Sequence, residues 1–387
     1  MPATIQVYAS FPRAVALGAD LDVSPSNWHW IHCLTLPLET LTALQFSQRP
    51  YKWIRYSIGI VVGAEGDLSS SQDIFDVVDY NASLPTESTI LYYHTSIEER
   101  QRMFPADPNS ERTNITSSVA TTRRAHFRGD VERRDGGTCV LTNAIPRYCD
   151  AVHLLAHSKG DAYITTYTQR RSRDPAGEDI VLDIDSVRNG LFLNKFTHVA
   201  LGSDLAFLMT PNFAMTTSDV DPTAPPTERK CTAHAFNLGD PFVLGGFGTP
   251  SGTSIRISDT PEWPPAIIFD AVYASTVLHH FGNQTLRDEV TATWRDAFDP
   301  GGVMAAEQAG GKEVTDERVR FNVRKGPESG PDLLDMLTIL PYILVPREER
   351  LAVMREVQQK AQEKAQAAEQ TRVREKVDTW MKQVNAP

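Results

Sequence analysis

The sequence predicts a mixed α+β fold with a strand-rich N-terminal module, a central segment of strands and a helix, and C-terminal helices. Short β-branched and aromatic segments separated by turn residues fill the first hundred or so positions, which is typical of strands. Two apolar segments at 266–282 and 284–298 have helical length, and they stop at Gly282 and at an Asp-Pro-Gly-Gly sequence. A charged segment at 347–384 lacks proline and glycine, which favours a solvated helix.

Changes in composition place the boundaries between these parts. We expect the strand-rich module to span residues 1–104 and a linker rich in proline, serine and threonine to span 105–121. The central domain then covers 122–240. A strand and helix extension, 241–346, packs on it, and the charged C-terminal helix occupies 347–387.

Four segments of the N-terminal module are predicted strands. They are "TIQVYA", "WHWIHCLTL", "KWIRYSIGIVVG" and "STILYYHTS". Between the last two, residues 67–79 are predicted to hold one short helix, with Ser70 or Ser71 as its N-cap. These elements together predict a small antiparallel β or α+β module.

The charge of the chain limits its partners. The 387 residues carry a formal net charge of -11, which argues against a protein that coats nucleic acid without specificity. Residues 121–200 differ, because they hold 12 Lys and Arg against 10 Asp and Glu. This local excess favours contacts with phosphate, although an ordinary solvated surface explains it nearly as well.

The sequence predicts a soluble, intracellular protein of the cytoplasm or nucleus. Its start has neither a basic region nor a sustained apolar core, and no apolar run is long enough to span a bilayer, so we expect no membrane association. The four cysteines, Cys33, Cys139, Cys149 and Cys231, are expected to be buried reduced thiols.

Three stretches of the central segment carry the chemistry. They are "RRDGGTCVLTN" from Arg133, "CDAVHLLAH" from Cys149 and "DSVRNGLFLNKFTHVALGSD" from Asp185. In order and spacing they resemble the HNH, or ββα-metal, endonuclease family. The stretch "LHHFGNQTLRDEVTATWRDAFDPGGVM" is in addition similar to fungal proteins that carry this domain.

The resemblance implies one role for each of three residues. His153 on the first strand is the general base that takes a proton from water, and Asn189 in the loop between strand and helix braces that strand. His198 on the following helix binds a divalent metal ion, Mg²⁺ or similar. Taken alone, each histidine has a plainer interpretation, as a core or helix-surface imidazole.

Two departures from the family pattern affect the metal site. Many members have a second metal ligand just before the first histidine, where this chain has Val152, and others have a histidine where it has Gly202. Four side chains are candidates for completing the ligand set: Asp150, His157, Asp183 and Asp185. We expect Asp183 or Asp185, because their segment runs directly into the Asn189 loop.

Three functions remain open at this point, and the weakest is an interaction protein that acts through its C-terminal helix. The first is a metal-assisted endonuclease that hydrolyses phosphodiester bonds in DNA or RNA, with substrate contacts from four basic residues: Arg133, Arg134, Arg188 and Lys195. The second is an HNH framework whose chemistry has been lost or redirected, giving an enzyme on a small organic molecule or a binding protein. The sequence leaves the oligomeric state open.

Overall fold

Four strands near the N-terminus form one sheet in the order β2-β1-β4-β3. They are β1 (Thr4–Pro12), β2 (Trp28–Pro37), β3 (Gly66–Ser69) and β4 (Thr89–Thr95). Strand β1 is antiparallel to β2 but parallel to β4, and β3 is antiparallel to β4. The parallel pair requires a crossover between β1 and β4, and that part of the chain holds two helices, α1 (Leu38–Leu44) and α2 (Pro50–Val62).

The structure is a computed structural model that describes residues 2–13, 22–73, 76–108, 110, 122–239 and 249–298. The chain divides into two units, Met1–Gly311 and Lys312–Pro387. The second unit lies outside the described residues, and so does the predicted helix at 347–387. Within the described residues the fold is mixed α+β with the motif-bearing segment in the middle, which confirms the predicted class.

One predicted strand is a helix. The segment "KWIRYSIGIVVG" forms most of α2, which begins with Pro50 and ends at Gly63, a residue in the left-handed region with φ 77°. Ten of its thirteen residues are buried. A short apolar run has the same composition in a buried helix as in a buried strand, so its periodicity does not separate the two. Residues 67–79 also differ from prediction, because the described part begins in β3 and continues as turns.

The central segment contains a two-stranded hairpin, β5 (Cys149–His153) and β6 (Gly190–Asn194), whose register pairs His153 with Gly190. Helices α4 (Thr122–Arg134) and α6 (Lys195–Ala200) pack on it, and two further helices are α3 (Ile97–Arg102), which precedes α4 in the chain, and α5 (Gly160–Arg171), which lies between β5 and β6 in the chain. A three-stranded sheet follows, formed by β7 (Leu205–Thr210), β8 (Lys230–Ala235) and β9 (Thr253–Ser254).

Two helices occur where the sequence predicts them, α7 (Ala266–Phe281) and α8 (Gln284–Phe298). Eleven of the sixteen residues of α7 are buried, and this helix packs against α2 and β7. Its Tyr273 hydroxyl accepts a hydrogen bond from Trp53 Nε1 at 2.7 Å and lies 2.7 Å from His234 Nδ1. Helix α7 therefore joins the N-terminal helices to the three-stranded sheet.

The first residues of the predicted linker are buried. Ala106 and Asp107 are at most 3% exposed, and Lys159 donates to the Asp107 carboxylate at 2.7 Å. Residues 111–121 of the predicted linker lie outside the described residues. The boundary at 105 stays a prediction. Of the helices that the structure describes, none is both long and apolar enough to cross a bilayer.

A carboxyl group on α7 makes stability depend on pH. Asp270 Oδ1 accepts a hydrogen bond from the Tyr56 hydroxyl at 2.6 Å. Burial raises the Asp270 pKa from 3.8 to about 6, although the hydrogen bond from Tyr56 acts to lower it. Because the folded state holds this proton more tightly than the unfolded state does, the contribution to stability is present at low pH and is lost as pH rises through about 6.

We expect Asp270→Asn to raise the free energy of unfolding by about 1–3 kcal/mol above pH 7, because no charge is then buried. The asparagine oxygen still accepts from Tyr56, so the hydrogen bond is kept. Near pH 4 the wild-type carboxyl is protonated and the gain should vanish. Urea unfolding of both proteins at the two pH values measures the difference, and an equal gain at both would contradict this account.

Candidate active site

Asn189 ties the two strands of the hairpin to the loop between them. Its side chain is fully buried at the end of a short 3-10 turn that leads into β6. The Oδ1 atom accepts from the Leu155 backbone N–H at 2.9 Å, and Nδ2 donates to the carbonyls of Leu155 and Ile184, both at 2.9 Å. These three hydrogen bonds fix the chain that follows His153.

His153 is the last residue of β5 and its side chain is 7% exposed. Its Nε2 atom lies 2.9 Å from Asp185 Oδ1, and its ring stacks on Phe127 of α4 with ring centres 3.9 Å apart. His157 approaches the same carboxylate oxygen, with Nε2 at 3.5 Å. An ionised Asp185 favours the proton on His153 Nε2, which leaves the ring's lone pair on Nδ1.

The stacking of α4 on His153 requires a glycine at position 190. A Cβ atom there would lie 2.6 Å from Phe127 Cζ and 2.7 Å from Val131 Cγ2, both closer than such contacts allow. Gly190 is the strand partner of His153. The close approach of helix and hairpin at this point therefore depends on the absence of a side chain.

His198 belongs to a second polar pair. Its Nδ1 atom lies 3.3 Å from Asp150 Oδ2, and the side chains are 21% and 31% exposed. Arg128 Nη1 lies 3.7 Å from the other oxygen of Asp150. Burial acts to raise the Asp150 pKa, but the hydrogen bond with His198 and the charges of His198, Lys195 and Arg128 outweigh it and lower the pKa. The pair is thus an anionic carboxylate beside an imidazole, reachable by solvent.

The two pairs flank one strand. Asp150 and His153 are three positions apart on β5, and side chains alternate between the faces of a strand, so these two project from opposite faces. Each of the two histidines that the sequence places in one site is thus held by its own carboxylate.

The structure differs from the expected ligand set of His198. Asp185 pairs with His153 and His157, whereas Asp183 Oδ1 accepts from the Asp185 backbone N–H at 2.8 Å and shapes the turn. Of the four candidates, Asp150 is the one found at His198. Among the described residues no group of three or more His, Cys, Asp or Glu side chains is arranged to hold a metal ion.

The alternation of side chains along β5 could have identified Asp150 from the sequence. A residue two positions before Val152 shares its face of β5, so Asp150 projects on the same side of the strand as position 152. Asp183 and Asp185 are near the Asn189 loop in the chain, but neither is the carboxylate that contacts His198. Their role as metal ligands stays a prediction.

Two of the four basic residues expected at the substrate have structural roles instead. The Arg134 side chain is fully buried, with Nε and Nη2 paired to the Asp135 carboxylate at 2.8 and 2.9 Å. It also donates to the carbonyls of Val187 and Gly190, both at 2.7 Å. Arg188 donates to the carbonyl of Ile180 at 2.9 Å and to that of Glu178.

The other two basic residues are accessible. Arg133 is 76% exposed and pairs with Asp130 at 2.8 Å, and Lys195 is partly exposed at the start of α6. The four cysteines are free and buried, as the sequence predicts. Cys139 Sγ accepts from the Asn194 backbone N–H at 3.2 Å, so this thiol holds the end of β6.

Comparison with known proteins identifies the same segment of the chain that holds the two polar pairs. Residues 139–207 match the family model described as HNH endonuclease, and they include β5, β6, α6 and both polar pairs. Neither the curated proteins nor the solved structures contain a match to the chain. The match supports the HNH family for the central segment and indicates a nuclease-related function. It does not bear on the predicted similarity to fungal proteins.

Adjacent arginines provide a test of the structural role assigned to Arg134. We expect Arg134→Met to lower the free energy of unfolding by about 3–5 kcal/mol, because it leaves the Asp135 carboxylate buried without its partner. Arg133→Met, one position away and exposed, should change it by no more than about 0.5 kcal/mol. Denaturant unfolding of both variants measures the contrast, and similar stabilities would show that the Arg134 pair does not hold the fold.

Proposed function

We propose that the protein is a metal-assisted endonuclease that hydrolyses phosphodiester bonds in DNA or RNA. The observation that carries the proposal is the buried hydrogen bond between His153 and Asp185, 2.9 Å long, inside the segment that matches the HNH endonuclease family. An imidazole oriented by a carboxylate in this way is a general base.

In this proposal His153 takes a proton from the attacking water at Nδ1. Asp185 is a positioning residue, because it holds the Nε2 proton and stabilises the imidazolium that forms. Asn189 has an indirect role, because its side-chain hydrogen bonds with the Leu155 backbone fix the chain that follows His153. Phe127 stacks on the ring and limits its rotation.

The Asp150 and His198 pair fits a divalent cation that keeps several of its waters. One carboxylate and one imidazole are too few for a structural zinc site, but hard ions such as Mg²⁺ are commonly held by one or two protein ligands. When bound, such an ion stabilises the charge on the scissile phosphate and on the leaving oxygen. Asp150 supplies the anionic ligand, and its lowered pKa keeps it ionised.

Three basic side chains are proposed to contact substrate phosphates. Arg128 and Lys195 are close to the Asp150 and His198 pair, since Arg128 lies beside Asp150 and Lys195 acts to lower the Asp150 pKa. Arg133 is exposed further along α4. Arg134 and Arg188 are left out because their donors are used inside the protein. The role of these contacts is to hold the phosphodiester beside the Asp150 and His198 pair.

Cleavage of supercoiled plasmid and of a short RNA, with Mg²⁺ or Mn²⁺, tests the base. We expect His153→Ala to reduce the cleavage rate by about 10²–10⁴-fold and Asp185→Asn by at least about tenfold. His279→Ala is the matched control, because His279 lies at the end of α7 and has no role in the proposed chemistry. Cleavage by His153→Ala at the wild-type rate would refute the assignment.

Calorimetric titration with Mn²⁺ tests the cation site without any need for activity. We expect both Asp150→Asn and His198→Ala to weaken binding by at least about tenfold, since each removes one of two protein ligands. Asp183→Asn should bind as the wild type does. Equal weakening by Asp183→Asn, or no effect of His198→Ala, would place the ion elsewhere.

The second candidate function is an HNH framework with lost or redirected chemistry. Its supporting observation is that His153 and Asp150 project from opposite faces of β5 while His153 is only 6% exposed. Under this alternative neither nucleic acid is cleaved with any divalent ion, and Mn²⁺ gives no heat. The protein would then be a binding protein or would act on a small organic molecule.

A further inference from the structure

The N-terminal sheet has one face in the apolar core and an outer face with partly exposed polar and aromatic side chains. Along β1, Ile5 and Val7 are fully buried, whereas Gln6 and Tyr8 point to the other face and are partly exposed. Ile90 of β4, the strand partner of Gln6, is 42% exposed on that same outer face. The outer face therefore remains accessible.

Aromatic rings form a continuous chain across this outer face. Tyr8 stacks on His32 with ring centres 4.9 Å apart and contacts Tyr92 at 5.7 Å. Trp30 contacts Tyr92 at 5.1 Å and His94 at 5.0 Å, both edge-on. Five rings from three strands thus support one another, and the sheet backbone fixes their positions.

A groove of about 630 Å³ lies beside Tyr92, the middle ring of this chain. Tyr92 belongs both to the chain of rings and to the groove wall. The remaining wall is mainly hydroxyl and amide groups, including Gln6, Ser71, Gln72 and Ser88, and none of the residues that line the groove is charged. Its volume lies within the range of about 300–1,000 Å³ typical of small-molecule sites.

The charges beside the groove favour a neutral ligand. Ser71, in the groove wall, donates from Oγ to the Asp76 carboxylate at 2.5 Å. A phosphate in the groove would thus meet a nearby negative charge and no cationic side chain in the wall. Proteins that bind single-stranded nucleic acid combine aromatic stacking with a positively charged groove. The residues that line this groove include aromatic Tyr92 but no positively charged side chain.

We propose that this groove binds a neutral oligosaccharide. A sugar ring has an apolar face that packs on Tyr92 and hydroxyl groups that exchange hydrogen bonds with Gln6, Gln72 and Ser88. The second sugar extends along the chain of rings toward Tyr8. This site is independent of the proposed nuclease chemistry, since none of its residues belongs to the hairpin or to α6.

Binding of neutral hexaoses to the full-length protein tests the proposal. The probes are cellohexaose, maltohexaose, xylohexaose and chitohexaose, with oligothymidylate as the anionic comparison, each followed by calorimetry. We expect at least one hexaose to bind with an affinity that does not change between about 50 and 200 mM salt. Tyr92→Ala and Gln6→Leu should each weaken that binding by about tenfold or more.

Tyr148→Ala is the matched control, since Tyr148 is an exposed tyrosine outside the sheet, and it should bind as the wild type does. Gln6→Leu removes an amide from the partly exposed outer face, so it keeps the test valid if Tyr92→Ala does not fold. Three results would each overturn the proposal: no hexaose binds, both groove variants bind normally, or only oligothymidylate binds and does so in a salt-dependent way. The last result would assign the groove to single-stranded nucleic acid.

Discussion

The candidate site depends on a buried ion pair between neighbours in sequence, Arg134 and Asp135. The guanidinium group joins the end of α4 to the turn before β6 and to the loop at Glu262. The carboxylate accepts from the Phe192 backbone N–H at 2.7 Å, so it also holds the middle of β6. The Trp263 ring shields the pair, with its centre 5.1 Å from Cζ of the Arg134 guanidinium. One pair of charges therefore sets the position of α4 against the hairpin.

That position matters for chemistry because α4 supplies side chains on both sides of β5. Phe127 stacks on His153, and the next residue, Arg128, reaches Asp150. The orientation of the base and the charge beside the second pair are thus set by one helix. The ion pair is costly to bury, but its remaining donors and acceptors are satisfied, which is the condition under which such pairs are tolerated.

Part of this arrangement could be predicted from the sequence. The α+β class, α7 and α8 follow from periodicity and composition, and the family resemblance selects His153, Asn189 and His198 as candidate site residues. The strand assigned to α2 was wrong because a continuous apolar run carries no distinguishing period.

The tertiary fold decides which carboxylate contacts which histidine. Asp150 reaches His198 across a gap of 48 residues, while Asp185 folds back over 32 residues to His153. Likewise, Arg133 and Arg134 have the same chemistry and adjacent positions, and only helix packing decides that one is exposed and the other buried. Local sequence gives the kinds of residue in a site and leaves open which of them meet.

The glycine opposite His153 has an evolutionary consequence. Phe127 and Val131 of α4 fill the space that a side chain at position 190 would need. Position 190 and these two helix residues therefore cannot change independently. A substitution at 190 is tolerated only with a smaller partner on α4, which would loosen the ring that orients the histidine. Lineages in which the ring stays stacked on His153 should therefore keep all three residues, and lineages in which this stacking is lost should be free to replace the glycine.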